Sequence, residues 1–78
     1  MIMITKKLFK TINELQEVQR IATHCPDDVA FHNLDSSVVI DAKSYIGLYA
    51  LDFTKPVMLV SENERFHQQI ADIAETVE

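Results

Sequence analysis

The sequence predicts an α+β domain of βαββαβα order, and three observations support that class. Short β-branched or aromatic segments have the character of strands, and longer segments repeat apolar residues at helical spacing. The two kinds of segment alternate along the chain without a repeat, linker or low-complexity stretch. One apolar stripe per helix and short connections favour a four-stranded antiparallel sheet with the helices on one face.

Composition is that of one small folded domain spanning residues 1–78. The chain is 47% hydrophobic, with one glycine and two prolines, so it is not typical of a disordered segment. No apolar run reaches about 18 residues, so no membrane span is expected, and the apolar residues 1–4 are too few for a signal-peptide core. Cys25 is the single cysteine, which excludes an internal disulfide and favours a cytoplasmic protein.

Charge disfavours nucleic acid as a partner. Twelve acidic residues outnumber seven basic ones, giving a formal net charge of -5. Sequence-independent binding to a phosphate backbone needs a clustered basic surface, which this composition lacks. We therefore expect a protein partner.

The first half of the chain predicts a strand, a helix and a hairpin. Residues 2–9 are strand-like, with apolar side chains at Ile2, Ile4 and Leu8. Thr11 and Glu14 have the spacing of a capping box. The helix that follows, which Pro26 ends, has an apolar stripe of Ile12, Leu15, Val18, Ile21, Ala22 and Cys25. Residues 29–31 and 38–40 read as a hairpin across the turn-forming residues 33–37.

The second half predicts a short helix, a buried strand and a final helix. Ser44 can cap a short apolar helix from Tyr45 to Leu51. Residues 57–60 are continuously apolar, which is typical of a buried strand. Residues 61–64, Ser-Glu-Asn-Glu, have a second capping-box spacing. The apolar residues beyond it are spaced for an amphipathic helix, at Phe66, Ile70, Ile73 and Val77.

The segment around Ser44 carries a family resemblance. Residues 43–48, Lys-Ser-Tyr-Ile-Gly-Leu, with Ala50 and Leu51 after them, resemble the lysine-serine signature of HPr, the small phosphocarrier of the bacterial sugar phosphotransferase system. Lys55 fits the same pattern, whereas Pro56 stands where the family usually has glycine. The resemblance implies an open-faced sandwich of four strands covered by three helices.

The first helix departs from the HPr pattern. The family has a Gly-Leu-His-x-Arg-Pro signature there, and its histidine accepts the phosphoryl group. Residues 9–14 of this chain, Phe-Lys-Thr-Ile-Asn-Glu, contain no histidine, arginine or proline. Lys10 can supply a cation, but no neighbour can carry phosphate. We therefore expect a non-enzymatic protein that does not transfer phosphate by the family's route.

The resemblance implies regulation at Ser44 and a partner surface beside it. In Gram-positive members a kinase modifies this serine, and a catabolite-repression homologue keeps it while lacking the histidine. Tyr45, Ile46 and Tyr49 lie on the implied docking side, where a kinase or transcriptional regulator is the expected type of partner. The competing interpretation is that Ser44 only caps the short helix and the tyrosines only cover the edge of the core.

Two other functions stay open from the sequence. A phosphocarrier could use a different acceptor, such as His24 or His67, and a βαββαβ domain could bind a small metabolite. No histidine pair has metal-ligand spacing, so neither a metal nor a cofactor is expected. Cys25 continues the apolar stripe and reads as a core residue, while His67 reads as a solvated side chain.

Overall fold

A computed structural model describes residues 1–44 and 47–78, with residues 48 and 49 described by their backbone only. The described residues form one antiparallel sheet of five strands in the order β3-β2-β4-β1-β5. The predicted α+β class is therefore confirmed. In chain order the elements are β1 (Met3–Leu8), α1 (Ile12–His24), β2 (Val29–His32), β3 (Val39–Asp41), a 3₁₀ turn (Gly47–Ala50), β4 (Val57–Ser61), α2 (Glu64–Gln69) and β5 (Glu75–Thr76).

One face of the sheet, called here the inner face, carries the core. Leu59 of β4 lies between Thr5 of β1 and Phe31 of β2 in the strand register. Because side chains alternate along a strand, Val57 lies on the same face as Leu59, and both are almost fully buried. The helices contribute to the same core with Leu15, Val18, Ala22, Phe66 and Ile70.

Three phenylalanines join the connections to this core. The rings of Phe9, Phe31 and Phe53 pack edge to face, with centroid distances from 5.8 to 6.2 Å. Such contacts add about 0.5–1.5 kcal/mol per pair beyond the burial of apolar area. The cluster therefore fixes the chain beyond β1 and the chain before β4 against the centre of β2.

The start of α1 confirms the predicted capping box. The hydroxyl of Thr11 accepts the N–H of Glu14, and the carboxylate of Glu14 accepts the N–H of Thr11. The helix ends at His24, and Cys25 caps it directly before Pro26. Ile12 is the one member of the predicted stripe that is exposed, at 60%. It lies in the first turn of the helix, where it does not reach the sheet.

The apolar residues of β1 lie on the opposite face from the one a simple pattern suggests. Ile2 and Ile4 are exposed, whereas Lys7 is completely buried. The register explains this, since Lys7 lies opposite Val57 and shares the inner face with it. β1 thus places a lysine in the core and isoleucines on the outer face.

The C-terminal region differs from the prediction. The expected helix through Ile73 and Val77 is wrong, because α2 ends at Gln69 and a fifth strand follows. Its cap also differs, since the side chain of Asn63, not Ser61, accepts the N–H of Phe66 at 2.8 Å. The chain leaves the helix through turns that include Ala74 at a positive φ of 62°.

Lys7 gives a physical reason for this change of path. Its Nζ donates to the carbonyl oxygen of Ala71 at 3.1 Å and to Oγ1 of Thr76 at 2.8 Å. A buried ammonium needs hydrogen-bond acceptors, and a continued helix would use the Ala71 carbonyl internally. The turns and the pairing of β5 with Lys7 and Leu8 supply those acceptors instead.

Lys7→Met is expected to remove a pH dependence of stability. Burial lowers the pKa of the Lys7 ammonium below its ordinary value of 10.5, while Asp72 and Glu14 oppose the shift. Just below pH 10.5 the unfolded chain therefore holds more protons at this site than the folded chain. The free energy of unfolding contributed by Lys7 then rises with pH through that interval.

Urea unfolding of wild type and Lys7→Met at pH 7.5 and pH 10 checks this expectation. The free energy of unfolding of wild type, minus that of Lys7→Met, should be larger at pH 10 than at pH 7.5. Lys6→Met is the matched control, because Lys6 is exposed on the outer face, and its difference should stay constant. An equal pH response in both variants would contradict the burial of an ionisable amine at Lys7.

Candidate functional site

Ser44 lies three residues beyond the end of β3, at the junction that leads to the 3₁₀ turn. Its N–H donates to the carbonyl oxygen of Asp41 at 3.0 Å, and the N–H of Lys43 donates to Oδ1 of Asp41 at 2.9 Å. Asp41 thus closes the strand with a compact turn. Ser44 is half-buried in this turn.

The hydroxyl of Ser44 acts as a cap. Its Oγ accepts the N–H of Gly47 at 3.2 Å, the i to i+3 relation of a helix N-terminus. The described helical segment is a 3₁₀ turn over Gly47–Ala50, so it ends one residue before Leu51, where the predicted helix ends; the start of that helix, at Tyr45 and Ile46, lies outside the described residues. One lone pair of Oγ is therefore used by the backbone.

Gly47 is required by close packing at this junction. A Cβ placed on Gly47 would lie 2.7 Å from Cγ2 of Ile40 and 3.2 Å from Oγ of Ser44. The first distance is shorter than any ordinary carbon contact. The single glycine of the chain therefore lets the turn lie against β3, a need that only the position of Ile40 reveals.

Lys43 connects the junction to the end of α1. Its Nζ donates to the carbonyl oxygen of Cys25 at 2.9 Å, and the N–H of Ala42 donates to the carbonyl oxygen of Val29 at 2.9 Å. The first contact attaches the segment before Ser44 to the end of α1, and the second attaches it to the start of β2. The segment that leads to Ser44 is therefore fixed to two elements.

The predicted partner surface is described only in part. Tyr45 and Ile46 lie outside the described residues, and Tyr49 is placed by its backbone in the 3₁₀ turn. The backbone of Tyr49 is therefore close in sequence and space to the Ser44 cap. The docking role of these three residues stays a prediction.

The carboxylate of Glu14 folds back over the start of α1. Its Oε1 accepts the N–H groups of Lys10 at 2.8 Å and of Thr11 at 3.2 Å. The N–H of Glu14 is in turn accepted by the hydroxyl of Thr11, so three of the backbone donors around this helix end are used within the chain. The Lys10 ammonium lies 3.9 Å from Glu75 in an exposed ion pair.

The histidines differ in how much of each ring is free. Nδ1 of His67 lies 2.7 Å from Oγ1 of Thr5 and its Nε2 lies 3.0 Å from the carbonyl oxygen of Ser61. Both ring nitrogens are thus hydrogen-bonded, so the predicted solvated role of His67 is wrong. His24 is exposed and uses Nδ1 against the carbonyl oxygen of Arg20 at 2.9 Å.

A groove between α1 and α2 has a volume of about 520 Å³. Arg20, His24 and Arg65 line it together with Cys25, which is buried as predicted. Arg20 is paired with Glu17, an i to i+3 contact on the helix surface. This pairing raises the pKa of Arg20 and lowers that of Glu17 through their hydrogen bonds.

Within residues 1–44 and 47–78, no group of three histidine, cysteine or carboxylate side chains is placed to hold a metal ion. Neither described helix is long and apolar enough to cross a membrane. No family model, curated protein or solved structure matches the chain.

Gly47→Ala is expected to destabilise the protein by about 1–3 kcal/mol, the usual cost of overpacking. The added methyl would force Ile40 or the turn to move, and chemical denaturation measures the loss. Because Ile40→Ala removes the clashing Cγ2, Gly47→Ala should cost less in that background. Equal costs in both backgrounds would show that the contact with Ile40 does not set the need for glycine.

Proposed function

We propose that this chain is an HPr-like regulatory or protein-interaction module, related to the bacterial sugar phosphotransferase system and without catalytic activity of its own. In this proposal Ser44 is a phosphorylation switch. Tyr45, Ile46 and Tyr49 form the surface that binds a cytoplasmic protein, such as a kinase or a transcriptional regulator. The proposal rests on the lysine-serine segment. It includes an HPr-like sheet of four strands, to which β5 adds a fifth.

The observation that carries this proposal is a capped serine in a chain whose first helix has no phosphoryl acceptor. The hydroxyl of Ser44 is bonded only to the N–H of Gly47 among the described residues, and its own N–H is bonded to Asp41. By contrast, residues 9–14 at the start of α1 contain no histidine. A serine switch can operate on this chain, whereas the family's histidine chemistry lacks its acceptor.

Phosphorylation would act through charge at the junction. A kinase would transfer a phosphoryl group to Oγ of Ser44 and add about -1.5 to -2 charges. The new oxygens are strong hydrogen-bond acceptors for the arginine or lysine of a partner. Since the junction is anchored through Lys43 and Asp41, the added charge should change partner binding more than it changes the fold.

Ser44→Ala is expected to abolish a phosphate adduct in protein purified from its native cells. Intact-mass measurement of wild type and variant checks this, and Ser37→Ala is the matched control at an exposed serine of the hairpin turn. Loss of the cap should cost only about 1 kcal/mol, so the variant should stay folded. An adduct that persists in Ser44→Ala, or is absent from wild type under several carbon sources, would contradict the switch.

Binding of a partner tests the other half of the proposal. Ser44→Asp and Tyr49→Ala should each change which proteins co-purify, while Ser37→Asp should not. Unchanged co-purification in both variants would remove the junction as the partner surface.

A second function is favoured by one observation at His24. Its exposed ring uses Nδ1 against Arg20 and keeps Nε2 without a described partner, as a phosphoryl acceptor requires. Phosphotransfer there predicts an acid-labile, base-stable label from phosphoenolpyruvate and the upstream enzyme, lost in His24→Ala. Absence of that label would leave the serine switch as the remaining function.

A further inference from the structure

The outer face of the sheet presents apolar residues on four neighbouring strands. Alternation along the strands and the register place Ile4 opposite Val60, Val60 opposite Ala30, and Met58 between Lys6 and His32. Val39 of β3 is paired with His32 and adds a fourth strand to the row that contains Met58. We call this surface the outer apolar face, and its apolar members are Ile2, Ile4, Ala30, Val39, Met58 and Val60.

Exposure shows that this face is uncovered by the described chain. Ile2 is 62% exposed, Ile4 56% and Val39 59%. Ala30, Met58 and Val60, which lie between them, are partly exposed. Single exposed apolar side chains are ordinary, whereas a group of them on neighbouring strands is typical of an interaction surface. Val39 and Ile40 point to opposite sides of β3, and Ile40 lies toward Gly47. The apolar members of the outer apolar face therefore lie on the opposite side of β3 from the contact of Ile40 with Gly47.

One end of this face is acidic. Asp27, Asp28 and Glu62 line a depression of about 380 Å³ together with Ile2, Ala30 and Val60. Asp41 lies at the same end, since it is paired with Ala30 in the register. No described cation lies within ion-pair distance of these four carboxylates. Lys6, two residues further along β1 than Ile4, is the one lysine that the register places on this face.

We propose that the outer apolar face binds an amphipathic helix of another protein, with an apolar stripe against the strands and lysine or arginine over the acidic end. Four strands about 4.8 Å apart span roughly 14 Å, which accommodates a helix about 10 Å wide. The acidic depression accepts one bulky side chain at its apolar floor and a cation at its rim. Asp41 belongs to both this surface and the Ser44 junction, but the proposal does not rest on the serine switch.

The carboxylates at the acidic end favour a basic amphipathic helix over a second copy of the chain, a membrane or a nucleic acid. A second copy of the chain would bring its own surplus of carboxylates to the interface, and like charges brought together disfavour association. An anionic membrane surface or a nucleic acid is repelled for the same reason. A basic amphipathic helix meets both the apolar and the acidic parts of the face.

The test uses two synthetic helical peptides that share a leucine stripe, one with lysine and one with glutamate at all polar positions. Titration of the lysine peptide into ¹⁵N-labelled full-length protein should give saturable shifts at Ile4, Ala30 and Val60. The glutamate peptide should bind at least tenfold more weakly. Asp28→Asn with Glu62→Gln should weaken the lysine peptide severalfold and reduce its dependence on salt.

Ile4→Glu provides the decisive variant, because it adds negative charge while it removes an apolar contact. Non-specific attraction to an acidic protein would strengthen in this variant, whereas binding at the outer apolar face should fall at least tenfold. Ile12→Glu is the matched control, since Ile12 is equally exposed but lies on α1. Val39→Glu replaces Ile4→Glu if circular dichroism shows that the latter does not fold.

Four results would overturn the proposal. They are equal binding of the two peptides, shifts confined to α1 or α2, equal effects of Ile4→Glu and Ile12→Glu, and occupation of the face by something else. Occupation of the face by another molecule is measured directly. A dimer in sedimentation velocity that Ile4→Glu dissociates would assign the face to a second copy, and co-flotation with phosphatidylglycerol vesicles would assign it to a membrane.

Discussion

The structure depends on the register of β4 in the middle of the sheet. Its alternation places Val57 and Leu59 in the core and leaves Met58 and Val60 on the outer face. A slip of one residue would exchange these two sets. The helices cover only the inner face. The core and the outer apolar face are therefore both consequences of the register of β4.

The second determinant is a lysine that a small core has to accommodate. Lys7 is fully buried, and burying an ammonium without partners would cost several kcal/mol. The acceptors come from Ala71 and Thr76, which are 64 and 69 residues away along the chain. The C-terminal segment is thus shaped by a contact with β1, and β5 is the result.

Local patterns predicted the elements that depend on local forces. The capping box of α1, the hairpin of β2 and β3, and the strand β4 follow from spacing and composition and agree with the structure. The prediction of the final helix was wrong. Its apolar residues satisfy helical spacing, at Phe66, Ile70, Ile73 and Val77, but the hydrogen bonds of Lys7 with Ala71 and Thr76 determine the path of the chain. At the site, the sequence predicted that Ser44 follows a strand. It could not predict the contact of Ile40 with Gly47 or the two hydrogen bonds of His67, because these contacts join different elements of the fold.

The central claim is that the sheet has one buried and one open face. Methyl relaxation by a soluble gadolinium complex measures this directly in protein labelled at isoleucine, leucine and valine. The account predicts strong relaxation at Ile4 and Val39, which are 56% and 59% exposed, and protection at Val57 and Leu59. Equal protection of Ile4 and Leu59 would contradict it, as would stronger relaxation at Leu59 than at Val60.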